Sequence, residues 1–558
     1  MEHRNQNIDI ERTDELLYLA KKKSSRKKLI AIIVIAAVAA AGAGVAVGFN
    51  VHKDYQIESH MKIAQASLKE GDYEQAVKEF DKVIELTPAE ADPYEGKGDA
   101  YRGMGRNKEA LTEYRNAVDR DKKNKKRYVK AIQTATAVND NKAVDELINE
   151  MHENVEGTEN LTAERFIMGG DNGNLINEGL SVSDGDKIFV ANKGENGTVT
   201  MIDDNDNEKI LVKELKDEED DVIISGLNIL DDYLYFIANV KIDEIVLHTY
   251  NNYKGKSIYR VKTDGSEEPE RILTENWDAK SYGGEMDYFA AGKMPDILMP
   301  QLMIVGNRII FGERLNNDEG WEVSKVSCVG PEGKNRKEIT KVTAETFTTD
   351  GKYIYAADNN VKIERIDIEN GNKVTLVDYS DREQLNLIGN REKQLVYKNG
   401  KLYFAGTLEI GDGIFSFDLK TNEIEKICNG FFSADDHDGG EGSEVPTTII
   451  NISDDKLYFT RKTARILPED SEFKCTLACV DLDSGNVNNI GTISHDFADE
   501  EFTKTGQDYI SYRVKAMTIE KHRLFYELEG YKFQGNLNAQ YANVFGEISL
   551  DGKESKEY

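Results

Sequence analysis

The sequence predicts a multidomain protein with a single transmembrane helix, a stack of α-helical repeats and an all-β propeller. Three observations lead to this fold class: an uncharged apolar stretch, a helical repeat that follows it, and a unit of four short strands that recurs over the rest of the chain. A chain of 558 residues is long enough for several buried cores. The expected domains are a basic cytoplasmic segment at 1–28, the transmembrane helix at 29–49, the helical repeats at 57–153 and the propeller at 160–558.

The charge of the chain argues against nucleic-acid binding. The sequence has 71 Lys and Arg against 102 Asp and Glu, a net charge of −31. Proteins that bind nucleic acids owe much of their affinity to clustered Lys and Arg that neutralise phosphates, so we expect no nucleic-acid partner. The 4 cysteines are too few for a disulfide scaffold in a chain of this length.

The predicted transmembrane helix contains no charged residue from Leu29 to Phe49. At about 1.5 Å per residue, a helix of this length spans about 30 Å, the thickness of a bilayer core. Basic residues are concentrated at 21–28, whereas only His52 and Lys53 follow the stretch. The positive-inside rule therefore predicts a single-pass protein of the cell membrane, with a cytoplasmic N-terminus and the bulk of the chain extracellular. A cleaved signal peptide is the alternative, although its apolar region is usually shorter.

A second pattern repeats at a spacing of 34 residues. Three positions of the first unit recur in the second: Gly71 as Gly105, Ala76 as Ala110, and Phe80 as Tyr114. A helix-turn-helix unit of this length, with small residues at the helix crossings, resembles the tetratricopeptide repeat. Pro88 closes the first unit as that family expects, whereas Lys122 stands at the second closing position. Two units are clear, and a third, from about residue 125 to 153, is degenerate or a capping helix.

The resemblance implies a peptide-binding groove, and hence protein partners, or else packing between identical repeats. Two or three repeats form only a short groove, so a spacer that holds the next domain off the membrane is the alternative. Basic residues are also clustered at 120–127. Such a run is usually a solvated helix end, and contact with an anionic cell-wall polymer or lipid headgroups is the second interpretation.

From about residue 175, a unit of four antiparallel strands replaces the helical pattern. The second strand of each unit is an apolar run that usually follows a tight turn; the runs lie at 187–190, 233–236, 308–311, 353–356, 401–404, 456–459 and 523–526. Seven such units predict a propeller of seven blades, with six or eight as alternatives. We expect residues 163–168 to provide the fourth strand of the last blade.

The segment SIYRVKTDGSEEPERIL, at 257–273, carries the clearest family resemblance. It is similar to TolB-type and low-density-lipoprotein-receptor-like (YWTD) propellers. No blade contains the YWTD tetrapeptide itself, so the ligand binding of those receptors does not carry over. With an anchor and helical repeats in front of the propeller, the whole chain resembles membrane-anchored surface proteins of Gram-positive bacteria.

A candidate binding face follows from the strand order. If tight hairpins join strands one to two and three to four, the other connections lie on the opposite face, and these include the long insertions at 239–256, 274–298, 429–446, 461–473, 493–512 and 528–542. Long loops on a rigid scaffold commonly bind ligands. The candidate ligand-binding residues are Tyr250, Tyr253, Trp277, Tyr282, Tyr288, Asp435, Asp436, His437 and Asp438. Acidic loops could hold Ca²⁺, but solvated charge is the commoner explanation, and no metal or other cofactor is assigned.

Known catalytic motifs are absent from the sequence, including GxSxG, HExxH and GxxxxGK[ST]. We therefore predict a non-enzymatic interaction or scaffold protein, which binds protein or cell-wall partners through the helical repeats and the loop-rich face of the propeller. Two alternatives stay open. One is an extracellular sensor or assembly factor coupled to a cytoplasmic partner, and the other is a polysaccharide-processing enzyme that uses loop carboxylates.

Overall fold

The chain divides into two compact units, Met1–Ala131 and Ile132–Tyr558, and each is described by itself. The computed structural model describes residues 48–138, 140–156, 158, 169–184, 186–193, 196–215, 222–241, 253–274, 297–317, 320–344, 346–358, 362–378, 394–408, 411–429, 449–461, 472–496, 510–534 and 538–558.

The described helices have the order and spacing that the repeat predicts. Their bounds are α1 (Gly48–Glu70), α2 (Tyr73–Leu86), α3 (Asp92–Gly103), α4 (Asn107–Arg120), α5 (Lys125–Ala137), α6 (Asn141–Asn154) and the short α7 (Asn172–Ile176). Gly71 and Gly105 end the first helix of their units with φ of +77° and +73°, a left-handed conformation that favours glycine. The helices α5 and α6 occupy the range of the degenerate third unit.

Small residues allow the helices to pack closely. A Cβ atom at Gly98 in α3 would lie 2.7 Å from the ring of Tyr114 in α4, which is too close for any side chain. Phe80 and Tyr114, the aromatic residues that recur between the units, are each 1% exposed. The recurring small and aromatic positions are therefore the contacts that hold the helices together.

No helix in the described part of the chain is both long enough and apolar enough to cross a membrane. This finding overturns the transmembrane helix in the predicted fold class and the predicted single-pass location at the cell membrane. The helix α1 has 23 residues, but Lys53, Asp54 and Glu58 would bring charges into the hydrocarbon, each at a cost of several kcal/mol. Of the predicted segment 29–49, residues 29–47 lie outside the described residues.

Seven four-stranded antiparallel sheets confirm the predicted propeller of seven blades. The strands of blades 1 to 3 are β1 (Ser181–Ser183), β2 (Ile188–Ala191), β3 (Val199–Ile202), β4 (Glu208–Val212), β5 (Val222–Leu230), β6 (Tyr233–Lys241), β7 (Tyr253–Lys262), β8 (Glu270–Thr274), β9 (Ile297–Val305), β10 (Arg308–Asn317), β11 (Gly320–Val329) and β12 (Lys337–Thr343). Those of blades 4 and 5 are β13 (Thr346–Thr349), β14 (Tyr353–Ala357), β15 (Ile363–Asp367), β16 (Lys373–Val377), β17 (Leu395–Lys398), β18 (Lys401–Leu408), β19 (Gly411–Asp418) and β20 (Ile424–Asn429). Those of blades 6 and 7 are β21 (Ile450–Ser453), β22 (Lys456–Arg461), β23 (Glu472–Asp481), β24 (Val487–Asp496), β25 (Ile510–Glu520), β26 (Arg523–Gln534), β27 (Asn538–Ser549) and β28 (Ser555–Glu557).

The second strand of each blade is apolar on both faces because it lies between two neighbouring blades. In β6, Leu234 and Phe236 join a core with blade 1, whereas Tyr235 and Ile237 join a core with blade 3. Side chains alternate between the two faces of a strand, so a strand buried on both faces needs a continuous apolar run. The seven predicted runs all fall in second strands.

The ring closes differently from the prediction. The fourth strand of blade 7 is β28, which pairs with β27 through Gly546↔Glu557 and the next two positions. The expectation that residues 163–168 would form this strand is therefore wrong, and those residues lie outside the described ones. Blades 7 and 1 meet instead through side chains: the hydroxyls of Ser181 and Thr518 are 2.7 Å apart, and Phe525 packs into the core of blade 1.

Candidate functional site

A short segment of the chain lies among the inner strands of the propeller. We call residues 169–180, which include α7, the plug. The first strand of each blade is an edge strand of its sheet, and α7 contacts those of blades 3 to 7. The main chain of Gly169 bonds to Ile304 of blade 3 and accepts from Ile229 of blade 2 at 2.7 Å. The plug therefore joins blades that are far apart in the sequence.

Three buried asparagines make most of the side-chain contacts of the plug. The Nδ2 of Asn172 donates to the carbonyl of Thr349 at 2.8 Å, and the Nδ2 of Asn177 donates to that of Ile450 at 2.8 Å. Asn174 donates to the carbonyl of Ile519 at 2.9 Å and accepts from its N–H at 2.7 Å. An amide has both donors and an acceptor, so it can satisfy the peptide groups that an edge strand leaves unpaired.

The plug fits the channel without spare room. A Cβ atom at Gly173 would lie 2.0 Å from Oδ1 of Asn451, so only glycine fits there. The side chains of Asn172, Asn174 and Asn177 are 1–3% exposed. At this level the plug occupies the space between the inner strands that it contacts.

The long connections leave from the face opposite the tight hairpins, as the strand order predicts. Of the candidate ligand-binding residues, Tyr253 begins β7 and pairs with Lys241 of β6. The other candidates lie outside the described residues: Tyr250, Trp277, Tyr282, Tyr288, Asp435, Asp436, His437 and Asp438. The insertion predicted at 528–542 is different, because β26 and β27 continue as a paired hairpin to Gln534↔Asn538.

Buried charged groups meet where blade 7 adjoins blade 1. The Nζ of Lys515 lies 3.0 Å from Oε1 of Glu527 and 3.1 Å from Oε2 of Glu178 in the plug. Glu527 is 0% exposed, and Glu529, on the same strand, is 7% exposed. We call Glu178, Lys515, Glu527 and Glu529 the junction cluster. It contains three carboxyl groups and one ammonium group.

This environment shifts the pKa values of Glu527 and Lys515. Burial, together with repulsion from Glu178 and Glu529, raises the pKa of Glu527 to about 7, although Lys515 opposes this. Burial lowers the pKa of Lys515, but attraction by the carboxylates is stronger and raises it well above its ordinary value. The Oε2 atom of Glu527 is buried without a hydrogen-bond partner. Carboxyl groups with such perturbed pKa values are typical of functional sites.

Sequence reasoning missed the junction cluster. Lys515 falls at a β-bulge between Val514 and Ala516, and a bulge re-aims the side chain it carries. The sequence nonetheless indicated that these carboxylates are buried. Glu527 and Glu529 follow Phe525 at a spacing of two, so they lie on the same buried face of the strand.

A second fully buried carboxylate, Glu313 in β10, has a different environment. The hydroxyl of Ser327 donates to it at 2.6 Å, Lys325 lies at 3.1 Å, and the guanidinium of Arg336 forms an ion pair with its other oxygen. Both carboxylate oxygens of Glu313 therefore have partners. In the described part of the chain, no group of three or more His, Cys, Asp and Glu residues could hold a metal ion.

In the helical part of the chain, the two arginines of the basic cluster at 120–127 are engaged in the fold. The side chain of Arg127, 8% exposed, forms ion pairs with Asp92, Asp121 and Glu95, the last at 3.0 Å. Burial raises the pKa of Glu95, but Lys130 and Arg127 have the larger combined effect and hold it below its ordinary value.

The neighbouring helix end is built in a similar way. The guanidinium of Arg120 stacks 3.7 Å from the ring centroid of Tyr94 and donates to the carbonyl of Pro88 at 2.8 Å. These contacts join α4 to α3 within the second repeat and to the turn that closes the first. The interpretation of this cluster as a free surface for an anionic polymer is therefore not supported.

Comparisons with known proteins agree with a helical N-terminal region. Residues 40–124 match the family model of the bacterial transcriptional activator domain. No curated protein matches the chain. The TPR2B domain of yeast Sti1, in a complex with pHsp70, is 20% identical over 18% of this chain and 80% of that chain, with a TM-score of 0.17. The TPR-like character of the described helices rests on their own order and 34-residue spacing, and they precede a seven-bladed propeller.

Two further solved structures are similar to larger parts of the chain. A prolyl endopeptidase is 9% identical over 68% of this chain and 56% of that chain, with a TM-score of 0.33. A Bacteroides thetaiotaomicron protein of unknown function is 12% identical over 55% of this chain and 72% of that chain, with a TM-score of 0.27. None of these matches supports the resemblance to Gram-positive surface proteins.

Proposed function

We propose that the protein is a non-enzymatic scaffold that binds protein partners through its TPR-like helices and through the loop-bearing face of the propeller. The observation that carries this proposal is the presence of two repeat architectures in one chain. Repeats that stack side by side build an extended, rigid surface, and such surfaces commonly bind other proteins.

The plug supports binding at the surface of the propeller. Asn172, Asn174 and Asn177 use their amides on the inner strands, so peptide groups of Thr349, Ile519 and Ile450 at this level are already paired. A ligand would have to displace these buried contacts to enter. We therefore infer recognition by the face that carries the long connections, where Tyr253 begins β7.

The proposal is tested by crosslinking and affinity capture from cells, with the full chain and matched variants. The first variant replaces Tyr250, Tyr253 and Trp277 by Ser at the same time and alters the loop-bearing face. The control is Lys420→Ala, which changes a tight turn on the opposite face. We expect the first variant to lose a protein that the wild type and the control both capture. Retention of every partner by the first variant would exclude the loop-bearing face.

The helical surface needs its own variant. Tyr55 in α1 is 44% exposed, so Tyr55→Ala changes the surface without emptying the core. If the helical surface binds a partner, Tyr55→Ala should lose that partner, and the loop variant should still capture it. Turnover of a polysaccharide that is abolished by substituting a single loop carboxylate, such as Asp436→Asn, would contradict the non-enzymatic assignment.

A further inference from the structure

We propose that the junction cluster is a pH-sensitive switch, in which a proton on Glu527 holds blade 7, blade 1 and the plug together and its loss loosens them. The switch is independent of the partners that the scaffold binds. It depends on the position of the cluster, on its excess of carboxyl groups and on one unsatisfied oxygen.

The position of the cluster makes it part of the ring closure. Blades 7 and 1 come from opposite ends of the propeller sequence, and each has its own four strands, so no shared sheet holds them together. Lys515 belongs to the inner strand of blade 7, whereas Glu178 belongs to the plug just before blade 1. Their ion pair, at 3.1 Å, therefore ties blade 7 to the segment that leads into blade 1.

The charge balance of the cluster depends on one proton. The charged groups with the largest effects on Glu527 are Lys515 from the inner strand, Glu178 from the plug and Glu529 from its own strand. With both carboxyl groups next to Lys515 ionised, its one ammonium lies 3.0 Å from Glu527 and 3.1 Å from Glu178, so two carboxylates share one positive charge. The Oε2 atom of Glu527, buried and without a donor, would then carry unsatisfied charge. A proton on Glu527 removes this excess.

The direction of the pH effect follows from the raised pKa of Glu527, about 7 against an ordinary value of 4.5. The folded junction binds a proton more tightly than the opened junction does. Its stabilisation is therefore complete below about pH 4.5 and is lost as the pH rises through about 7. Lys515 stays charged over this range, because its pKa lies well above its ordinary 10.5.

Hydrogen exchange of the full chain, followed by mass spectrometry from about pH 5 to about pH 8, measures the opening of the junction. After correction for the intrinsic exchange rate, we expect the opening constant of peptides from 169–183 and 510–520 to rise in the wild type. Up to about pH 7, the opening constant should rise by nearly tenfold for each pH unit, which is the dependence expected when opening releases one proton. In Glu527→Gln the same peptides should show no such slope, whatever their absolute protection.

Glu313→Gln is the matched control, since it removes a charge from an equally buried carboxyl group in a second strand. We expect it to retain the wild-type slope at the junction. An equal slope in Glu527→Gln and the wild type would overturn the proposal, as would loss of the slope in Glu313→Gln.

A second variant decides the matter if Glu527→Gln does not fold. Glu178→Gln removes a partly exposed carboxylate that raises the pKa of Glu527. We expect the midpoint of the pH-dependent opening to move to lower pH in this variant. An unchanged midpoint, or a wild-type chain without any slope at the junction, would contradict the switch.

Discussion

Inside the propeller, the Nδ2 atom of Asn451 donates a hydrogen bond of 2.9 Å to Oδ1 of Asn174. Asn451 lies in the inner strand of blade 6, and Asn174 lies in the plug. The same Oδ1 atom also accepts from the main chain of Ile519 in blade 7. One side chain of the plug thus holds two blades together.

Removing this side chain should destabilise the propeller. In Asn174→Ala, peptide and amide groups of blades 6 and 7 lose their partners while they stay buried. We expect the free energy of unfolding to fall by about 1–3 kcal/mol for each group left unsatisfied. Denaturant unfolding measures the loss. Asn205→Ala, in an exposed turn, is the control and should change stability by less than about 0.5 kcal/mol.

Gly98 should not tolerate a larger residue. Its missing Cβ leaves room for the ring of Tyr114, so we expect Gly98→Ala to lower the stability of the helical unit by about 1–3 kcal/mol. Gly105 is the matched control, because a Cβ there has no neighbour within 4 Å. Only its left-handed φ restricts which residues can replace it. Since asparagine tolerates that conformation, Gly105→Asn should cost less than Gly98→Ala. Equal losses in thermal unfolding would contradict the steric explanation.

Arg127 should act as a structural residue of the basic cluster. In Arg127→Met, Glu95 keeps Lys130 at 2.8 Å but loses the guanidinium at 3.0 Å, so the helical unit should lose about 1.5–3 kcal/mol, the contribution of a hydrogen bond to a charged group. Lys123→Met, an exposed lysine of the same cluster, should have almost no effect. The two variants differ in burial and remove the same charge. Similar stabilities in denaturant unfolding would restore the interpretation of this cluster as a free surface.

The helical unit should respond to acid. The pKa of Glu95 is held below its ordinary value of 4.5, so its stabilisation is present above about pH 4.5 and is lost as the pH falls further. Circular dichroism at acid pH should show this loss in the wild type and a weaker dependence in Arg127→Met. An identical acid dependence in both proteins would argue against Glu95 as the responsible group.

The architecture could be predicted from the sequence because its signals are local. The second strands read as apolar runs, since each is buried on both faces, and Leu234 and Tyr235 illustrate this in blade 2. The helical repeat was visible because Phe80 and Tyr114 recur at buried positions where packing restricts residue size. The apolar character of residues 29–49 suggested a membrane helix, but a local pattern was insufficient there, and the described helices do not include one.

Part of the candidate site depended on contacts that no local pattern encodes. The plug reads as a polar, glycine-rich loop, and only the closed ring places Asn172, Asn174 and Asn177 on edge strands from blades 4 to 7. The loop residues from Trp277 to Asp438 stay predictions, because they lie outside the described residues.

The sequence by itself determined the order of the elements, the TPR-like repeat and the number of blades, because these depend on the periodicity of apolar residues along the chain. Only the tertiary structure decided how the ring closes, what fills its channel and which carboxyl group lacks a partner. Glu527 and Lys515 approach each other across two strands, and Glu178 joins them from a distant segment. The burial and the charge balance that set the proton affinity of Glu527 exist only once these segments are assembled.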